Sequence, residues 1–145
     1  MKTLSKKDIK QLNERIGREV FSKKDLLQEE CGRYYRNKEL VFFTLPQGRL
    51  APSLKFLLKD LYLPKVTVDM GAVKFVVGGA DIMRPGVTAC DEGVMQGDLV
   101  VVVDETHGKP LAVGEALMGS EELLAATSGK VVKNLHYVGD DLWNA

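Results

Sequence analysis

The sequence predicts an α+β protein built as two units, residues 1–64 and 65–145, and three observations carry that expectation. The 145 residues are 45% apolar, enough to bury a real core. Near Lys65 the texture shifts from amphipathic helices to short β-branched runs broken by turns. Charge divides at the same place: fourteen Lys and Arg against eight Asp and Glu up to Pro64, net +6, then six against twelve, net −6. Opposed halves of this kind point to nucleic acid or another charged partner, or to two patches that attract each other within the fold.

Ser5, three residues before Asp8, resembles a capping box. Ile9, Leu12, Ile16 and Val20 then recur at helical spacing, predicting an amphipathic helix with a basic outer face. A second short helix is expected over Asp25 to Gly32, with Asp25 as its cap and Gly32 at its end. Arg33-Tyr34-Tyr35 and Glu39 to Leu45 flank the polar turn Arg36-Asn37-Lys38, which is a hairpin pattern. Pro52 suits the first turn of a helix whose Leu54, Leu57, Leu58 and Leu61 share one face until Pro64 stops it.

Beyond Pro64, Lys65 to Asp69 alternates, Leu99 to Val103 is a continuous apolar run, and Leu111 to Leu117 and Lys130 to Val138 are further strand candidates. Short strands with frequent turns indicate a barrel or a sandwich. Two helical inserts are expected, over Ala72 to Val77 and after a Ser120 cap, the latter with Glu121 and Glu122 in its first turn and Gly129 past its end.

Cys31 and Cys90 form no metal-type spacing and are expected to be reduced, buried thiols. The charged Met1 to Lys10 stretch does not read as a signal peptide, and no run approaches the ~20 apolar residues of a bilayer span, so a cytoplasmic protein is expected.

The segment from Gly71 to Val87 is the most informative part of the chain, because it sets glycines beside basic side chains. Gly78, Gly79 and Gly86 can let the main chain lie close to a phosphate, with Lys74 and Arg84 supplying charge. From these residues alone, the favoured reading is that they end a helix tightly against a barrel. No Gly-Lys-Ser/Thr loop and no Gly-x-Ser-x-Gly elbow is present, so neither NTP hydrolysis nor serine-hydrolase chemistry is indicated. His107 and His136 have no ligand-spaced partners; no metal and no cofactor is expected, and His136 reads as a hydrogen-bonded, partly buried residue. The pairs Asp91-Glu92, Asp104-Glu105, Glu121-Glu122 and Asp140-Asp141 read as surface charge, with Asp140-Asp141 alternatively capping a turn. Tyr34, Tyr35, Tyr62, Tyr137 and Trp143 are candidates for base stacking or for the core.

Read with Asn134-Leu135-His136-Tyr137 and Asp140-Asp141-Leu142-Trp143, the glycine segment resembles a PUA domain, a small β-pseudobarrel of RNA-modifying enzymes. Glu39-Leu40-Val41-Phe42-Phe43, Pro52-Ser53-Leu54 and Val68 to Phe75 resemble, in order, the malignant T-cell amplified sequence and ligatin family. That resemblance implies a pre-PUA α+β domain (1–64) followed by a PUA pseudobarrel (65–145). It also implies a non-enzymatic protein that docks tRNA or small-subunit ribosomal RNA in translation initiation or recycling.

Carried over to this chain, the RNA surface would comprise Lys74, Gly78, Gly79, Arg84, Pro85, Gly86 and His136. The acidic barrel half suits RNA poorly by itself, so the basic half is expected to add Lys23, Lys24, Arg33, Arg36 and Lys38. The small ribosomal subunit or a translation factor is the expected partner, with any density-regulated-protein-like partner supplied in trans or missing. A protein-interaction adaptor, or a targeting subunit of a separate RNA-modifying enzyme, are the alternatives.

Overall fold

Two sheets organise the computed structural model, which describes residues 1–145. The first is antiparallel throughout, in the order β1-β2-β3-β4-β5, with β1 Lys2–Thr3, β2 Leu27–Glu30, β3 Arg33–Arg36, β4 Glu39–Thr44 and β5 Leu50–Pro52. The second closes most of the way round into a barrel-like sheet in the order β7-β11-β10-β9-β6-β8. Its strands are β6 Lys65–Val68, β7 Ile82–Met83, β8 Val87–Cys90, β9 Leu99–Asp104, β10 Pro110–Ala116 and β11 Lys130–Tyr137. All of its pairings are antiparallel except β6 with β9.

Helix α1, Lys6–Ile16, starts with the capping box read from the sequence: Asp8 N–H donates to Ser5 Oγ and Ser5 N–H to Asp8 Oδ2. Ile9 and Leu12 bury its apolar stripe against Phe21, Leu27, Val41, Phe42 and Phe56. Gly17 ends the helix before Val20, whose N–H, like that of Phe21, donates to Asn13 Oδ1 at 3.0 Å.

The helix expected over Asp25 to Gly32 is a strand followed by a turn. Leu27 to Glu30 pair with Arg36 to Arg33, and Cys31 and Gly32, both at positive φ, make the two-residue connection. Pairing with β3 and full burial of Leu27 override the helical preference of Gln28, Glu29 and Glu30. Asn37 and Lys38, also at positive φ, form a matching turn into β4.

Pro52 belongs to the edge strand β5, opposite Phe42, where its missing N–H costs no ladder bond. Ser53 caps α2 (Leu54–Leu57), a single turn, and leaves Leu58 and Leu61 exposed instead of on a buried face. In the barrel, α3 spans Val73–Val76 and α4 spans Ser120–Ala125; Gly119, not Ser120, holds the cap position of α4. The helix ends at Ala125, short of Gly129.

Cys31 is exposed and Cys90 half-buried, so the expectation of two buried thiols is corrected. So is that of a solvated Asp104: it is buried, and its carboxylate accepts the N–H groups of Thr106, His107 and Lys109. Those main-chain bonds, His107's foremost, hold the carboxyl below the usual carboxylate range.

The two sheets meet through apolar contacts. Leu54 and Leu57 pack on Val101, Val103 and Val113, and Phe43 and Ala51 on Leu99. No ion pair joins residues 1–64 to residues 65–145, so the opposite charges of the halves do not hold them together at contact distance. No helix is long and apolar enough to cross a membrane.

Candidate nucleic-acid interface

The glycine segment leaves the end of β6 and returns as β7 and β8. Asp69 shapes its start, accepting the Ala72 N–H on Oδ1 at 2.8 Å and donating its own N–H to Gly86 O at 2.9 Å. Its middle is a Schellman turn that ends α3: Gly79 N–H donates to Val76 O and Ala80 N–H to Phe75 O, both at 3.0 Å. Gly79 sits at φ +94°, and a Cβ there would lie 3.0 Å from the Tyr137 ring. Gly79→Ala is therefore expected to cost about 1–2 kcal/mol, read as a lower thermal midpoint. An unchanged midpoint would show that the turn relaxes freely.

Asn134 on β11 fastens this turn to the barrel. Its Nδ2 donates to Val76 O and Ala80 O, both at 3.0 Å, and its main-chain N–H donates to Asp81 Oδ1 at 2.9 Å. That last bond is the main reason the Asp81 carboxyl lies below its ordinary range, with Lys130 Nζ 3.3 Å away as a further one.

Between α3 and the β7–β8 connection lies a groove of about 400 Å³. Phe75 and Met83 line it while remaining 60% and 46% exposed, and Pro85, Gly86 and Ala72 complete its apolar wall. Its polar groups are Asp69 and Asp81; no Lys or Arg lines it. Apolar side chains left open to this extent beside carboxylates suit the face and amino edge of a base or a ribose better than a phosphate.

The structure redistributes the residues singled out from the sequence. Pro85 and Gly86 line the groove; Gly78 and Gly79 end α3 and do not. Lys74 is exposed and makes no ion pair, with its Nζ 5.1 Å from the centroid of the groove-lining Phe75 ring. Arg84 is engaged elsewhere: Nη1 donates to Val87 O at 2.9 Å and Nη2 to Leu124 O at 3.3 Å, tying its turn to the end of α4.

His136 fits the hydrogen-bonded, buried reading of its sequence context rather than the RNA-facing place that the resemblance implies: its side chain is wholly buried. Its Nε2 accepts the Leu54 N–H at 3.1 Å, and its Nδ1 faces Asp140 Oδ2 at 2.9 Å. The ring is thus neutral with its proton on Nδ1, and it joins the last barrel strand to the free N-terminal N–H of α2. Burial pushes its pKa below the usual value, against the opposing pull of Asp140.

Among the basic residues of the first half, Lys23, Lys24 and Lys38 are exposed and Arg33 half-exposed, and none forms an ion pair. Arg36 is committed to structure: it stacks 5.3 Å from the Phe21 ring centroid and pairs with Asp25 at 3.9 Å. The exposed Phe75 and Met83, and the bonds made by Asn134, were missed from the sequence. An aromatic ring in a short glycine-flanked insert was the available signal for Phe75.

A family model described as the PUA domain matches residues 64–138, the whole barrel-like sheet. The chain belongs to the PUA-domain family.

This PUA-domain protein is 41% identical to an uncharacterised protein of Methanocaldococcus jannaschii, over 97% of this chain and 93% of that one. It is 38% identical to translation machinery-associated protein 20 of Saccharomyces cerevisiae, over 81% of this chain and 68% of the other. It is 36% identical to malignant T-cell-amplified sequence 1 of Rattus norvegicus over 74% of this chain, which spans 62% of that relative. Among solved structures, it resembles a conserved PUA domain protein of Thermoplasma acidophilum with a TM-score of 0.82 at 27% identity, covering 99% and 97% of the two chains. The PUA-domain protein is thus related to translation-associated proteins over most of its length.

Proposed function

We propose that this PUA-domain protein docks a structured RNA, tRNA or small-subunit ribosomal RNA, in translation initiation or ribosome recycling, working in the cytoplasm without catalysis of its own. The single observation that carries this reading is the groove beside α3, where Phe75 and Met83 stand open to solvent next to the main chain of Gly71 and Gly86. An unpaired base stacks there against Phe75 and presents its amino hydrogens to Asp69 or Asp81. Lys74, at the rim, meets the flanking phosphate.

Phosphate neutralisation then falls to the basic first half. Lys23, Lys24, Arg33 and Lys38 are free to supply it, and the relationship to translation machinery-associated protein 20 supports the ribosomal setting. Small ribosomal subunits and a translation factor are the partners this reading implies.

Fluorescence anisotropy with labelled tRNA, and co-sedimentation with small ribosomal subunits, test the proposal. Phe75→Glu and Met83→Glu are each expected to weaken binding about tenfold or more, as loss of a base-stacking platform does. Wild-type affinity of both variants for both RNAs, or no binding by the wild type at low salt, would leave the groove without a role in RNA docking.

A further inference from the structure

A second cleft, of about 240 Å³, opens at the junction of the two sheets. Phe42, Leu50 and Leu99 form its buried floor, and Arg15, Arg49 and Tyr62 stand at its edge. Arg15 comes from the end of α1, Arg49 from the loop before β5, and Tyr62 from the segment that leads into β6.

Both arginines are positioned but not neutralised. Arg15 donates from Nη1 to Tyr34 Oη and from Nη2 to Gly48 O, each at 3.2 Å, and Arg49 donates from Nη1 to Gly97 O. Neither has a carboxylate within ion-pair distance, and each keeps further N–H groups free. A third guanidinium, Arg18, lies 4.2 Å from the Tyr62 ring centroid but is already paired with Asp60 at 3.6 Å. The Tyr62 hydroxyl has no protein partner, and burial pushes its pKa up to about 12, so it remains an O–H donor. Asp98 is the one acidic group lining the cleft, with Oδ2 accepting the Met95 N–H at 2.9 Å.

Strand geometry sets this cleft against the groove. β6 and β9 run parallel, with Lys65 opposite Val101 and Val68 opposite Asp104. The cleft residues Pro64, Asp98 and Leu99 lie where these strands start, whereas the groove residues Asp69 and Gly71 follow the end of β6. At about 3.3 Å per residue the two sites stand roughly 15–20 Å apart along the barrel.

We propose that the interdomain cleft holds a backbone phosphate of the RNA whose base occupies the groove, with Arg15 and Arg49 as its donors. The inference rests on the groove reading above and extends it to a second contact. Two planar guanidinium forks held by neutral acceptors suit a phosphodiester, whose oxygens take paired N–H bonds, and a weakly hydrated guanidinium is the cation that an apolar floor penalises least. No cation lines the groove and only Lys74 stands at its rim, so one RNA reaching both sites gains at the cleft charge pairing that the groove supplies sparsely.

The experiment measures tRNA binding by the full chain across a salt series. Arg15→Ala with Arg49→Ala is expected to weaken binding about tenfold at low salt and to flatten the log K against log salt slope by about one to two units. Asp98→Asn is expected to tighten binding a few-fold while Glu121→Gln, on α4, leaves it unchanged; a folding defect cannot produce that gain. Unchanged affinity and slope in the arginine variant, with Phe75→Glu still defective, would overturn the cleft alone. Wild-type binding by both Phe75→Glu and Met83→Glu would remove the groove reading first. Loss of poly-glutamate binding with tRNA binding intact would make the occupant an acidic protein segment and likewise overturn the proposal.

Discussion

Gly114→Ala is expected to destabilise the protein by about 3 kcal/mol, among the larger effects of a single added methyl group. β10 is an inner strand, with β9 on one side and β11 on the other, and Gly114 pairs with Val100 and Asn134. The register with β11 shifts between Val113 and Gly114, bringing the two backbones close. A Cβ at Gly114 would overlap Val132 Cγ1 and lie 2.8 Å from Lys133 O. Neither neighbour can yield: Val132 is fully buried, and Lys133 O belongs to the main chain of a paired strand. Because Asn134 fastens the glycine turn from this same stretch of β11, the groove loosens with the strand. Thermal denaturation checks this: a midpoint lowered by about 10 °C is expected for a chain of this size. A midpoint within about a degree of wild type would mean that the bulge absorbs the methyl group.

His136→Phe is expected to cost about 3 kcal/mol, with a pH signature that a simple packing loss lacks. The substitution leaves the Leu54 N–H without its acceptor and removes the Nδ1–H group that faces Asp140. Since burial holds the folded pKa of His136 below its ordinary 6.5, the unfolded chain takes up a proton first as acid is added. Wild-type stability is therefore full above about pH 6.5 and falls as pH drops from there toward the depressed folded value, with a limiting slope of about 1.4 kcal/mol per pH unit. The depressed carboxyls, Asp8, Asp81 and Asp104, act in a separate window at lower pH, losing their contribution as they protonate from below the ordinary 3.8. His136→Gln, which can accept from Leu54 and donate to Asp140 without titrating, should flatten the profile below about pH 6.5. Denaturant unfolding at fixed pH steps decides it, and identical slopes for wild type and the Gln variant would sink the assignment.

Local signals were legible wherever they were local in origin. The Ser5 and Asp8 box needed only four residues, and the Arg36 to Glu39 turn needed only the polar pair between two apolar runs. The strands β6, β9, β10 and β11 showed in the β-branched runs that build them. The helix expected at Asp25 to Gly32 failed because Gly32 serves a hairpin turn, and glycine at positive φ marks a strand connection as readily as a helix end. Leu58 and Leu61 continued a helical spacing that the chain abandons after one turn of α2, so periodicity alone overstated both the helix and the core. For the site, the segment from Gly71 to Val87 stood out by its glycines, and the groove is built from it, but Lys74 and Arg84 were picked from it by residue type and His136 by resemblance. Arg84 has the chemistry of a phosphate ligand but spends it on main-chain carbonyls, and His136 takes the hydrogen-bonded role that its own context suggested rather than the one the resemblance implied.

From the order of its amino acids alone, this protein declares its α+β class, the basic first half and acidic second half, and a glycine-dense insert with PUA character. Those properties follow from composition and from spacings within a few residues, which the chain carries whether folded or not. Which groups remain available to a ligand is decided only in three dimensions. Arg84 is occupied by Leu124 O, forty residues away in sequence, and His136 by Leu54 N–H, from the other sheet. Phe75 and Met83 are left uncovered, and Arg15 and Arg49 meet at a cleft that needs both sheets to exist. A donor's freedom depends on which distant acceptors fold against it, and no local pattern of residues encodes that.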